Sequence, residues 1–169
     1  MLPTLPFSFD QIQAFVFDFD GVLTNNLVHL NQDGHEWVTC SRSDGLAFDV
    51  LRELKKPAYI LSTENNLVVS ARAAKLKIPC IQGVENKLIG IKELSDKESL
   101  NLDKIMYVGN DINDYSAMKS CGFTACPSDS HESIKLISSI VLKTKGGNGI
   151  VRELLEDGLG LDFIEILYK

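Results

Sequence analysis

Residues 15–24 read Phe15-Val16-Phe17-Asp18-Phe19-Asp20-Gly21-Val22-Leu23-Thr24. A short apolar run ends in two carboxylates spaced by one residue, and a glycine follows. Runs of this kind, bounded by turn residues, form strands buried on both faces of a parallel sheet. In open α/β sheets, ligands gather at the carboxyl ends of the strands. Two acids placed there need a counter-charge, or one of them stays protonated. A hard dication such as Mg2+, which takes oxygen ligands, supplies that charge.

Lys104-Ile105-Met106-Tyr107-Val108-Gly109-Asn110-Asp111-Ile112-Asn113-Asp114 repeats the pattern. Taken alone, its Asn and Asp residues would serve as helix caps. Beside the first motif they read as a second group of ligands for one shared metal.

Three further apolar runs, Ala58–Leu61, Thr124–Cys126 and Ile140–Leu142, join Ala14–Phe17 and Ile105–Val108 as expected strands. Amphipathic stretches lie between them. Leu46, Val50, Leu51 and Leu54 share one helical face, and Leu67, Val68, Ala71 and Ala74 share a second. Leu88, Ile91 and Leu94 mark a third, and Tyr115 and Met118 a fourth. The alternation predicts an α/β protein with a central parallel sheet, Rossmann-like, with helices on both faces. One segment breaks it. Leu27–Asn31 and Glu36–Cys40 flank Gln32-Asp33-Gly34-His35, and Asp-Gly between β-prone runs signals a hairpin. The expected organisation is one domain over 1–169, a hairpin flap at about 25–41, and a Gly-rich tail with a helix at about 143–169.

Composition narrows the function. A length of 169 residues suits one domain. An apolar fraction of 44% is too high for a disordered chain, and no apolar run approaches the ~20 residues of a membrane span. The net charge of −6 and the thin Lys143-Thr144-Lys145 cluster argue against a nucleic-acid or membrane binder. Cys40, Cys80, Cys121 and Cys126 form no C-x-x-C pair, so structural zinc is disfavoured. Met1–Asp10 carries no leader pattern, which makes a cytoplasmic location with reduced thiols the expectation.

Two weaker signals complete the set. Tyr59-Ile60-Leu61-Ser62-Thr63 puts hydroxyls at a strand end, and Gln82-Gly83-Val84-Glu85-Asn86-Lys87 puts a lysine before a helix. Each alone reads as a helix cap or a surface lysine. Asp18-x-Asp20-Gly-Val-Leu-Thr, then Ser62, then Lys87, then Gly109-Asn-Asp-x-Asn-Asp114, follow the order of the four motifs of the haloacid dehalogenase superfamily. The chain resembles that superfamily from Ala14 to about Leu155. Within it, the chain is similar to the small capless phosphatases of 2-keto-3-deoxy sugar acids. These act on octulosonate 8-phosphate or on nine-carbon ulosonate (KDN or N-acylneuraminate) 9-phosphates. The same module ends some acylneuraminate cytidylyltransferases. Arg42-Ser43-Asp44-Gly45, Gln82–Lys87 and Gly146–Glu153 add to the likeness.

The resemblance implies a Mg2+-dependent phosphomonoester hydrolase. Asp18 would be the nucleophile, forming an aspartyl-phosphate, and Asp20 the general acid and base. Ser62 would bind a phosphoryl oxygen, and Lys87 would neutralise phosphate charge. Mg2+ would be held by Asp18, the backbone carbonyl of Asp20, Asn110 and Asp111, with Asp114 behind them. Asn110 departs from relatives that carry Asp there, at a cost of one formal charge. Ser62-Thr63-Glu64 departs from the Thr-Gly-Arg of octulosonate phosphatases towards the nine-carbon branch. Thr63 and Glu64, with Arg72 and Lys75 on the next helix, are the candidate substrate contacts. The hairpin and one helix use up the chain between Asp20 and Ser62, leaving no room for a cap domain. The resemblance therefore implies a homotetramer whose neighbouring subunits cover each site, with Gly146–Arg152 as a tail segment acting there. The alternative is a non-catalytic oligomerisation module.

Overall fold

The computed structural model describes residues 7–169. Met1–Pro6, part of the stretch read for a leader, lie outside the described residues. Six parallel strands form the central sheet: β1 (Ala14–Phe17), β4 (Ala58–Leu61), β5 (Cys80–Ile81), β6 (Ile105–Val108), β7 (Phe123–Cys126) and β8 (Ile140–Val141). Their order is β5-β4-β1-β6-β7-β8. The sheet grows in opposite directions from β1, so the crevice expected at a topological switch opens beside the β1 carboxyl end. β2 (His29–Leu30) and β3 (Glu36–Trp37) pair separately as an antiparallel hairpin, closed at its base by a bridge between Thr24 and Cys40.

Side chains alternate across β1. Phe15 and Phe17 enter one core with Phe48, Leu51, Ile60, Ile150 and Leu154. Ala14 and Val16 enter the other, with Leu61, Ile91, Tyr107 and Met118. The first core carries α1 (Ser43–Glu53), α2 (Leu67–Leu76), α6 (Ile150–Glu153) and α7 (Phe163–Tyr168). The second carries α3 (Lys87–Glu98), α4 (Tyr115–Ser120) and α5 (Glu132–Ile137). The result is the three-layer α/β arrangement expected from the alternation. β1, β4 and β6 are buried at every position, and each hydrogen-bonds on both edges. No helix among the described residues is long and apolar enough to cross a membrane.

Three details differ from expectation. β5 is only two half-buried residues and gives no apolar run of its own. The hairpin strands are two residues each, because most of 25–37 is exposed and nothing in the chain packs to extend them. The Gly-rich segment is no free tail. Gly146, Gly147 and Gly149 are buried; the first two lie against Gly21–Asn25, which follow β1, and Gly149 lies against Ser43.

Candidate active site

The β1 carboxyl end delivers Asp18, 5% exposed, into the centre of the site. Its Oδ1 accepts the Phe19 N–H at 2.7 Å and sits 2.6 Å from Lys87 Nζ. Lys87 opens α3, whose N-cap Asn86 accepts from the Leu88 and Ile89 N–H groups. Its ammonium, 2% exposed, also reaches Asp114 Oδ1 at 2.7 Å. Asp114 is fully buried: Oδ1 also accepts from Tyr107 Oη at 3.0 Å, and Oδ2 accepts from the Asn110 N–H at 2.9 Å. Asp114 thus fixes both the lysine and the loop that carries Asn110.

Two buried carboxylates share one ammonium here. Burial first, and then the charge of Asp114, push the Asp18 carboxyl up to about 8, against the pull of Lys87. Desolvation works to lower Lys87, but Asp18 and Asp114 outweigh it and hold the ammonium above its ordinary value. The cluster is one positive charge short.

The Asn110 amide shows where that charge belongs. Its oxygen lies 3.1 Å from Asp18 Oδ2 and 2.9 Å from the Asp20 carbonyl oxygen, so three acceptors converge with no proton among them. An octahedral Mg2+ with bonds of 2.0–2.1 Å has ligand-to-ligand edges of about 2.9 Å. The residues present therefore fit the ion, with Asp18, the Asp20 carbonyl and Asn110 as the oxygen set. In a metal-free protein the amide would turn its NH2 to the same two acceptors. Gly21, at φ 84°, is required for this approach, since a Cβ there would collide with the Asn110 amide. No group of three or more His, Cys, Asp or Glu among the described residues is placed for a metal. Two of the three converging donors are carbonyl-type oxygens and not acids.

The Asp20 side chain stays out of this set. Its Oδ1 accepts from Thr24 Oγ1 at 3.1 Å, and Thr24 in turn accepts from the Gly21 and Asn26 N–H groups. Burial raises the Asp20 carboxyl, and the Thr24 hydrogen bond opposes the rise. Ser62, 1% exposed, lies at the carboxyl end of β4, where its Oγ accepts the Glu64 N–H at 3.1 Å. A cleft of about 170 Å³ is lined by Asp18, Asp20, Ser62, Thr63, Glu64 and Asn110, among others. Asp111 also lines it, although its Oδ1 is occupied by its neighbour's Ile112 N–H at 2.7 Å. A second cleft of about 290 Å³ continues under the hairpin, sharing Asp20 and Glu64 and adding Glu36 and Asn66.

Arg72 and Lys75 are not brought into either cleft. Arg72 turns to the Ser41 carbonyl at 2.7 Å, and Lys75 is exposed on α2. Tyr107 is the residue the sequence reading missed. It looked like one more core aromatic within an apolar strand, yet its hydroxyl completes the partners of Asp114. The largest cleft, about 1170 Å³, opens at the other end of the sheet. Lys56 on its wall is already engaged by the Phe9 and Ile12 carbonyls.

A structure of a putative haloacid dehalogenase family hydrolase from Streptomyces avermitilis superposes with a TM-score of 0.86 at 36% identity, over 88% of this chain and 86% of that one. The chain belongs to the haloacid dehalogenase-like hydrolases. The family model for these hydrolases matches residues 80–154. The 3-deoxy-D-manno-octulosonate 8-phosphate phosphatase of Escherichia coli is 28% identical over 148 residues, 87% of this chain and 79% of its own. The Moraxella catarrhalis enzyme of that name, solved with magnesium, phosphate and KDO, matches at TM-score 0.84 and 28% identity, over 92% and 87% of the two chains. The protein is a phosphatase of this family, related to those enzymes.

Proposed function

We propose that the protein hydrolyses the phosphate ester of a 2-keto-3-deoxy sugar acid with Mg2+, and that it prefers a nine-carbon ulosonate 9-phosphate to octulosonate 8-phosphate. One observation carries the chemistry. Asp18 has one oxygen locked on Lys87 and the other directed at the Asp20 and Asn110 oxygens. Asp18 attacks phosphorus in line and becomes an aspartyl-phosphate, which divides one hard displacement into two. Asp20, turned away by Thr24, gives its proton to the leaving alkoxide and then takes one from water. Lys87 and Ser62 hold the phosphoryl oxygens as charge spreads over them in a loose transition state. When bound, Mg2+ supplies the remaining positive charge at those oxygens. Asp18, the Asp20 carbonyl and Asn110 would hold it, with Asp111 at the rim and Asp114 behind.

Glu64 supports the nine-carbon preference. It stands where the two clefts meet, and Glu36 lies beyond it. Both accept hydroxyl or amide protons, and a longer sugar offers more of these. The acid group of the substrate needs a cation that these walls do not contain, since neither Arg72 nor Lys75 lines them. A homotetramer, in which neighbouring copies close the clefts, would provide it; we place the protein in the cytoplasm. Turnover of both ulosonate phosphates, with and without a chelator, tests the reading. Expected are metal-dependent hydrolysis, loss of it in Asp18→Asn, and a higher kcat/KM for the nine-carbon ester. A stronger octulosonate activity would overturn the chain-length preference, and full activity under chelation would overturn the metal.

A further inference from the structure

We propose that Asp44 is a positioning residue for the general acid, acting through the glycine segment 146–149. The inference rests on the reading of Asp20 as the acid. Asp44, 1% exposed, sits in the first turn of α1, remote in sequence from both motifs. Its Oδ1 accepts the N–H groups of Val151 at 2.9 Å and Arg152 at 3.3 Å. These open α6, so the carboxylate clamps one end of the glycine segment. Glu153 clamps the other, accepting the Lys143 and Thr144 N–H groups at 2.8 Å each.

Between the clamps, the chain presses on the loop that carries Asp20. The Gly147 N–H donates to the Val22 carbonyl at 2.9 Å. A Cβ on Gly147 would lie 2.5 Å from the Asn25 nitrogen, and one on Gly146 would collide with the Gly21 carbonyl oxygen. Glycine is needed at both places because backbone rests on backbone. The supported loop, Gly21–Asn25, includes Thr24, whose hydroxyl holds the Asp20 carboxylate at 3.1 Å. A continuous path thus runs from Asp44 to the α6 N–H groups, to Gly146 and Gly147, to Thr24 and to Asp20. Asp44 Oδ2 and Arg72 Nε are both buried without a partner. A shift of the order of 1 Å in a positioned group reduces rate by about 10²-fold.

The test compares two phosphate esters by kcat/KM, which reports steps up to departure of the leaving group. p-Nitrophenyl phosphate leaves without a proton; an alkyl ester needs one. The alkyl probe is the faster ulosonate phosphate, or ribose 5-phosphate if neither turns over. Asp20→Asn should lower kcat/KM for the alkyl ester by about 10²–10⁴-fold and spare the aryl ester. Asp44→Ala should show the same selectivity at about tenfold or more, and Asp44→Asn, which keeps the Oδ1 acceptor, should restore the alkyl rate. Gly147→Ala gives the same reading by pushing on the loop directly, and it stands in if Asp44→Ala fails to fold. An equal effect on both esters, or no effect, in the Asp44 and Gly147 variants would overturn the brace while leaving Asp20 as the acid. An equal loss on both esters in Asp20→Asn would overturn the acid reading and the brace with it.

Discussion

At the phosphate end of the site, Asp18, Lys87 and Asp114 are almost fully buried and hydrogen-bonded within one chain; at the hairpin end, Leu27, Val28, Leu30 and Trp37 are all at least half exposed. The first group is preorganised: its charges face fixed partners before any substrate arrives, so little reorganisation accompanies the reaction. The second is an apolar surface on a two-residue ladder, which is too short to be stable alone. The charged groups thus meet within one chain, whereas the hairpin presents an apolar surface that the proposed homotetramer would cover.

Asp18→Asn gives the largest effect that would break this contrast. It should lower turnover of every phosphate ester by about 10⁴-fold or more while leaving the oligomer intact. Residual turnover near the wild-type rate would remove Asp18 from the chemistry. Lys87→Met comes next. It leaves two carboxylates buried around an apolar chain, and breaking a buried pair costs about 3–5 kcal/mol. Thermal melts should show a much lower Tm, partly recovered by Mg2+; an unchanged Tm would mean that the cluster relaxes into solvent.

A pH effect at Asp44 sharpens the comparison between the two ends. Burial, opposed by the Arg152 and Val151 N–H groups and by the charge of Arg72, raises its carboxyl from 3.8 to about 6. An acid that holds its proton more tightly when folded stabilises the fold below about pH 4, and that stability is lost as pH rises through 6. The loss amounts to about 2–3 kcal/mol. Asp44→Asn, with no charge to bury, should gain on the wild type by that amount between pH 4 and 7 in paired melts. A constant difference across that range would show Asp44 ionised in the fold throughout.

The smallest effect is expected at the hairpin. Trp37→Asp should shift light-scattering mass towards the monomer and raise KM for the sugar phosphate several-fold, with p-nitrophenyl phosphate turnover retained. Loss of aryl turnover as well would mean that the hairpin serves the chemistry and not only the sugar.

Much of this was legible in the chain itself. Ala14–Phe17, Ala58–Leu61 and Ile105–Val108 are strands at the residues expected, because a strand buried on both faces must be apolar throughout. Asp18 and Asn110 stand at strand ends that pattern reading locates, whereas Ser62 and Lys87 read alone as a cap and a surface lysine and entered through the family resemblance. β5 was legible only as a strand somewhere between α2 and Lys87, since Cys80–Ile81 is too short to show a period. Arg72 and Lys75 share a helix face near the site, but which way a long side chain turns is decided by the carbonyl it finds, and Arg72 finds that of Ser41.

By itself, then, the sequence determined the α/β alternation, the hairpin and the two acidic strand ends, because each is local and written in spacing. Only the tertiary structure decided what depends on residues far apart in the chain. Asp114 is brought onto Lys87, Asp44 onto the start of α6, and Gly146 and Gly147 onto the Gly21–Asn25 loop. The Asp44–Arg152 contact spans 108 positions of sequence, and no local pattern encodes such contacts.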